Sequence, residues 1–304
     1  MNRWIIGARL RTLPAAVVPV AIGAACAIGL PRGEGWLTGE GVVAQASNVG
    51  PVWWRVALAL VVSLALQVGV NYANDYSDGV RGTDDVRVGP TRLVASGLAS
   101  ASAVKKAAYL SFGVAAVAGL AVAVSTSLWL IVVGLAAITA GWFYTGGPSP
   151  YGYMGLGEIF VFVFFGLVAT VGTSYAAVET ITPLSVLMGC AAGSVACALL
   201  VINNLRDIPT DREVGKRTLA VRLGDERTRW LYTALIVATF LLVAAGAVDR
   251  WPVLLGLAAI PLAISPITRV LGGATGFDLI PVLGETGKLQ LAFGVATTIG
   301  LALG

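Results

Sequence analysis

Histidine is absent from all 304 residues, and only 12% of the chain is charged. The first absence removes imidazole bases, histidine-ligated haem and most zinc sites. The second excludes an ordinary soluble domain, which carries about twice that share of charge. Cysteine is scarce as well. Cys26, Cys190 and Cys197 each lie in apolar sequence, so they read as small buried hydrophobes and not as a disulfide framework. In their place alanine, glycine and valine dominate, and the mean hydropathy is +0.84. The chain therefore reads as a membrane protein.

Apolar stretches of about 17 to 25 residues can cross a hydrocarbon core of roughly 30 Å as helices. About nine qualify, near 12–30, 52–74, 105–124, 127–145, 157–178, 182–204, 229–248, 252–270 and 288–304. The first follows "MNRWIIGARLRTLP" without a small-residue cleavage site, so it reads as a span and not a signal peptide. Lipid offers no water to unpaired backbone groups, so the expected fold class is all-α: a polytopic bundle of about nine transmembrane helices, one domain over 1–304. With the N terminus in the cytoplasm, every Lys and Arg falls on the cytoplasmic side except Arg32, Arg55 and Arg250, which sets the orientation. Loops 75–104 and 205–228 then share that side with "TGGPSPYGYMGLGE".

Charge is concentrated in those loops. In "NYANDYSDGVRGTDD", residues 71–85, Asn71, Asp75 and Asp78 follow helical spacing and share a face. The Asn71/Asp75 step recurs 132 positions later as Asn203/Asp207, with Asp211 a further turn on. Pro209 intrudes in the second set and is expected to kink it. Such residues can be simple caps, but the orientation argues otherwise. Both clusters end inward-running helices, where the macrodipole disfavours negative charge by roughly 0.3 to 1 kcal/mol each. Arg81, Arg87, Arg92, Arg206, Arg212, Lys216 and Arg217 supply part of the compensation. Paired aspartates one turn apart also suit magnesium, which is held by one or two carboxylates together with substrate phosphates. A magnesium diphosphate headgroup beneath apolar helices points to a polyprenyl diphosphate substrate. Polytopic transporters usually carry ionisable residues near the midplane, and here the charge gathers at one face instead.

The two acidic stretches, "NYANDYSDGVRGTDD" and "NNLRDIPTDREVGKRTLAVRLG", resemble the paired aspartate-rich motifs of the UbiA superfamily of intramembrane prenyltransferases. "ARLRTLPAAVVPV", "GPTRLVASG" and "YTGGPSPYGYMGLGE" are similar to the subgroup that prenylates 1,4-dihydroxy-2-naphthoate in menaquinone synthesis. "DYSDG" also echoes the CDP-alcohol phosphotransferases, but their second aspartate pair follows within the same stretch, and here it does not. The resemblance implies nine helices around a central cavity with a cytoplasmic cap. It implies magnesium bound by Asn71, Asp75, Asp78, Asp207 and Asp211. It places Arg92 at the diphosphate, with Arg81, Arg212 and Lys216 as weaker candidates. Asn74, Asp84, Asn203 and Glu158 match as further substrate-binding positions, and Tyr144 as a residue flanking the allylic group.

The implied reaction starts with loss of diphosphate from an allylic carbon. The naphthalenediol then attacks at the carbon that bears its carboxylate, releasing carbon dioxide and giving a demethylmenaquinol. The expected partners are a polyprenyl diphosphate, 1,4-dihydroxy-2-naphthoate and the bilayer of a bacterial plasma membrane, with no nucleic acid and no obligate protein partner. A related enzyme acting on 4-hydroxybenzoate, homogentisate or haem is the alternative.

Overall fold

The computed structural model describes residues 2–33, 49–82 and 91–304. Asp84 and Arg87 lie outside the described residues. Among the described residues the chain is helical, and the sole extended pairing is a bridge between Pro31 and Val49. The helices are α1 (Arg3–Ala8), α2 (Pro14–Cys26), α3 (Trp53–Arg81), α4 (Ala101–Ser125), α5 (Trp129–Phe143) and α6 (Gly157–Val178). They continue with α7 (Pro183–Glu213), α8 (Leu219–Leu223), α9 (Asp225–Gly246), α10 (Trp251–Leu271) and α11 (Leu279–Leu303). Each of the nine expected apolar stretches holds helix. Among the described residues, six helices are long and apolar enough to cross a membrane, or seven if the bent pair Arg3–Thr12 and Pro14–Cys26 is one span. The protein is thus a multi-pass membrane protein, and a count of nine crossings exceeds what these two measures establish. The last helix starts at Leu279, well before the expected 288, because its first turns carry Glu285 and Lys288 and so look polar in sequence.

α7 is the axis of the bundle: 72% of its most apolar window is buried, against 28–33% in the other five long helices. Its small residues permit this. A side chain at Gly166 of α6 would begin 2.5 Å from the Gly193 Cα of α7, so the two backbones meet only because both are glycine. α6 widens into a π-helical segment over Phe162–Val168 at that crossing. The outer helices instead turn leucine, valine and isoleucine outward. Leu110, Val117, Leu120, Leu135, Leu241 and Ile264 are all exposed, a face that suits hydrocarbon and not water.

The three arginines that break the charge bias hold together the end opposite the aspartate motifs. Arg250 donates to the carbonyls of Ala25 at 3.1 Å, Ile28 at 2.9 Å and Leu301 at 2.8 Å, joining the C-terminal ends of α2 and α11. Those ends carry the negative pole of each helix dipole. Arg55 pairs with Glu179 at 2.7 Å and also donates to the Ser125 carbonyl. Arg32 reaches the Gly50 carbonyl at 2.9 Å. Arg250→Ala leaves three carbonyls without their shared charged donor and should destabilise the fold by about 2 kcal/mol or more. Thermal unfolding in detergent checks this: a clear fall in Tm is expected, partly restored in Arg250→Lys.

Candidate active site

At the other end of the bundle, the last turn of α3, which carries the first acidic motif, meets three connecting segments, one of which follows α7 and brings Lys216 to Asp78. Asp75 is fully buried, Asp78 and Asp207 nearly so. Asp75 points at the loop after α3 and accepts the backbone amides of Leu93 at 2.8 Å and Val94 at 3.0 Å, one on each carboxylate oxygen. Gly79, one turn later, permits this approach, since a Cβ there would lie 2.6 Å from Val94. The consequence is that Arg92 is carried on a loop clamped to α3.

Asp78 is the junction of the site. The Tyr153 hydroxyl donates to its Oδ1 at 2.6 Å. Arg92 reaches its Oδ2 at 3.4 Å, and Lys216 Nζ lies 3.6 Å from Oδ1. Tyr153 extends the junction, because its carbonyl accepts the Arg217 amide at 2.9 Å. Lys216 lies 4.7 Å and Arg81 5.6 Å from the centroid of its ring. One carboxylate therefore ties the Arg92 loop, the 144–156 connection and the segment after α7 to the foot of α3. Sequence reasoning assigned Tyr153 no role. Its signal was present in the Tyr-Gly-Tyr element, but only the fold shows that this tyrosine faces an aspartate 75 positions away.

On α7, Arg206 grips Asp207 with two hydrogen bonds of 2.7 Å and reaches Asn203 at 2.9 Å. The helix runs through Pro209 to Glu213, so the motif spacing is kept. Asp211 is more open. It accepts the Thr218 hydroxyl at 3.5 Å, and its carbonyl holds the Lys216 amide at 2.8 Å. The remaining expected residues build walls. Asn71 donates to the Ala8 carbonyl at 3.0 Å and the Thr12 hydroxyl at 3.1 Å, securing the N-terminal bend. Asn74 accepts the Thr145 hydroxyl at 2.7 Å. Arg81 donates to the carbonyls of Thr145 and Gly147, and Arg212 is exposed. Asn71, Asp75 and Asp78 thus share a helix but fan out to separate sets of partners.

Tyr144 lies just beyond α5 at the edge of this cluster. Glu158 and carboxylates from both motifs, Asp78 and Asp211, lie within its electrostatic reach. A row of aromatic rings leads away from it along α6. Tyr144 meets Tyr151 edge-on at 5.5 Å, Tyr151 stacks on Phe160 at 3.9 Å, and Phe164 follows at 6.1 Å.

Among the described residues no three carboxylates form a ready cage for a metal ion. Magnesium needs none when a diphosphate completes its shell. The oxygen donors of Asp78, Asp207 and Asp211, with cations beside them for the phosphate oxygens, fit that mode.

The chain has relatives among known proteins. The model of the UbiA prenyltransferase family matches residues 36–273. The chain belongs to this family. The 1,4-dihydroxy-2-naphthoate octaprenyltransferase of Mycobacterium tuberculosis is 47% identical, over 99% of this chain and 97% of that protein. The Escherichia coli protein of the same description is 32% identical, over 99% and 95%. Among solved structures, a UbiA homolog from Archaeoglobus fulgidus bound to DMAPP and magnesium superposes with a TM-score of 0.62 at 16% identity, covering 98% of this chain and 99% of that one. An apo UbiA homolog from Aeropyrum pernix gives 0.64 at 15%, covering 100% and 98%. At such identity these structures speak for the fold.

Asp75→Asn retains the side-chain shape but loses one of two acceptors for the Leu93 and Val94 amides. Hydrogen exchange of a peptide spanning 91–98 is expected to quicken by about tenfold, the equivalent of one such bond; unchanged exchange would remove the clamp from the account.

Proposed function

We propose that the chain transfers a polyprenyl group from an all-trans-polyprenyl diphosphate to 1,4-dihydroxy-2-naphthoate, with loss of diphosphate and carbon dioxide, giving a demethylmenaquinol. Likeness over nearly the whole chain to relatives described by that activity supports the acceptor. The observation that carries the chemistry is the junction at Asp78, where a carboxylate of the first motif meets a lysine that follows the second. On this reading residues 1–304 act as one catalytic unit.

Asp78, Asp207 and Asp211 would hold magnesium together with the diphosphate, while Asp75 and Asn71 keep the surrounding segments in place. Bound there, the metal supplies Lewis-acid stabilisation of the leaving group. Arg92 and Lys216, already turned toward Asp78, meet the phosphate oxygens as charge moves onto them when the allylic carbon–oxygen bond weakens. Tyr144 presents a neutral aromatic ring to the developing allylic cation. The apolar residues beyond it keep water from that cation. The charge bias supports an orientation with the N terminus and the motif loops in the cytoplasm of a bacterial cell, where both substrates' polar ends are accessible.

Incubation of the purified protein with a prenyl diphosphate, magnesium and 1,4-dihydroxy-2-naphthoate should yield the decarboxylated prenyl product. 4-Hydroxybenzoate and homogentisate should yield none. Chelation of divalent metal should stop turnover reversibly. Asp78→Ala and Asp207→Ala should each lower kcat by at least about 100-fold while unfolding cooperatively in detergent; turnover that persists in chelator, or near-normal kcat in both variants, would contradict the assignment.

A further inference from the structure

Glu158 opens α6 almost fully buried, and only one of its carboxylate oxygens is satisfied. Oε1 accepts the Asn204 amide at 2.9 Å, whereas Oε2 is buried without a hydrogen-bond partner. A lone acceptor of that kind is expensive unless a ligand completes it, and a carboxylate at the edge of an apolar bundle is a functional group by default. The titratable groups facing it are Tyr144, from the connection after α5, and Cys197, whose thiol on α7 donates to the Glu158 carbonyl at 3.1 Å. Tyr144 lies close against the same turn, since a Cβ at Gly157 would be 3.2 Å from its ring and 3.5 Å from its hydroxyl oxygen.

The position of Asn204 gives this oxygen a place in the site. Asn204, Asp207 and Asp211 fall at i, i+3 and i+7 and share one face of α7. The helical rise places Asn204 about 5 Å from Asp207 and about 10 Å from Asp211 along the axis, toward the apolar body. A diphosphate held by the aspartates would thus have Glu158 and Tyr144 on its membrane side, where the acceptor ring must meet the allylic carbon.

Building on the acceptor assigned above, we propose that Oε2 of Glu158 takes the hydroxyl proton of the aromatic acceptor and serves as the general base of the transfer. The ring O–H bond breaks and its proton passes to Oε2. The freed electron pair moves into the ring, whose carboxylate-bearing carbon bonds to carbon one of the prenyl chain. The prenyl carbon–oxygen bond breaks, and its electron pair leaves with the diphosphate. When carbon dioxide departs, the pair from that carbon–carbon bond returns to the ring oxygen, which recovers the proton from Glu158.

Glu158→Gln keeps an oxygen for Asn204 and removes the base. With 1,4-dihydroxy-2-naphthoate and saturating prenyl diphosphate, kcat should fall by about 100-fold, with KM for the prenyl diphosphate unchanged. The acidic limb of the rate–pH profile should disappear in Glu158→Gln and persist, at reduced kcat, in Glu158→Asp. An active wild type matched in kcat by Glu158→Gln overturns this proposal alone. A wild type inert toward the naphthoate removes the acceptor assignment and this proposal with it. Should the Gln variant fail to fold, Glu158→Asp decides: a retained acidic limb with lowered kcat supports the base, and a wild-type kcat overturns it.

Discussion

A negative charge buried at the C-terminal end of a membrane helix is unstable on its own, and Asp78 is such a charge. The dipole of α3 opposes it and little water reaches it. Removing one partner from a buried ion pair leaves an uncompensated charge at a cost of about 3 to 5 kcal/mol, so the segments that carry its partners are held to it. Arg92, Tyr153 and Lys216 come from three connections that share nothing in sequence, and each is drawn to this carboxylate. The assembly of the polar end follows from that requirement.

The same requirement prepares the chemistry. Cations recruited by a protein carboxylate are already oriented before an anionic headgroup arrives, and such preorganisation is what makes electrostatic stabilisation of a leaving group effective. Around this centre the other polar residues divide the work. Asp75 clamps the Arg92 loop, Asn71 the N-terminal bend and Arg81 the connection ahead of α6. Below them, the transition from charge to aromatic rings along α6 matches a substrate that is charged at one end and hydrocarbon at the other.

Much of this was legible in the sequence, for reasons that can be named. Helical spacing and apolar length depend on local sequence alone, so the helices and the two acidic motifs could be located. The resemblance to the UbiA superfamily then supplied the fold, which the family match supports. Partner choice is not local. Nothing in residues 71–81 tells that Asp75 will be satisfied by backbone amides of a later loop, or that Arg81 will donate to the carbonyls of Thr145 and Gly147. Tyr153 was hidden for the same reason. Pro209, expected to kink the second motif, lies at an exposed position inside α7 and does not end that helix, which runs on to Glu213.

The central claim is that both motifs act on one headgroup held at the Asp78 junction. An experimental structure with magnesium and a non-reactive prenyl thiodiphosphate tests it most directly. The account predicts diphosphate oxygens between Asp78 on α3 and Asp207 and Asp211 on α7, in contact with Arg92 and Lys216, with the prenyl chain running past Tyr144. A diphosphate bound elsewhere, or touched by one motif and not the other, would contradict it.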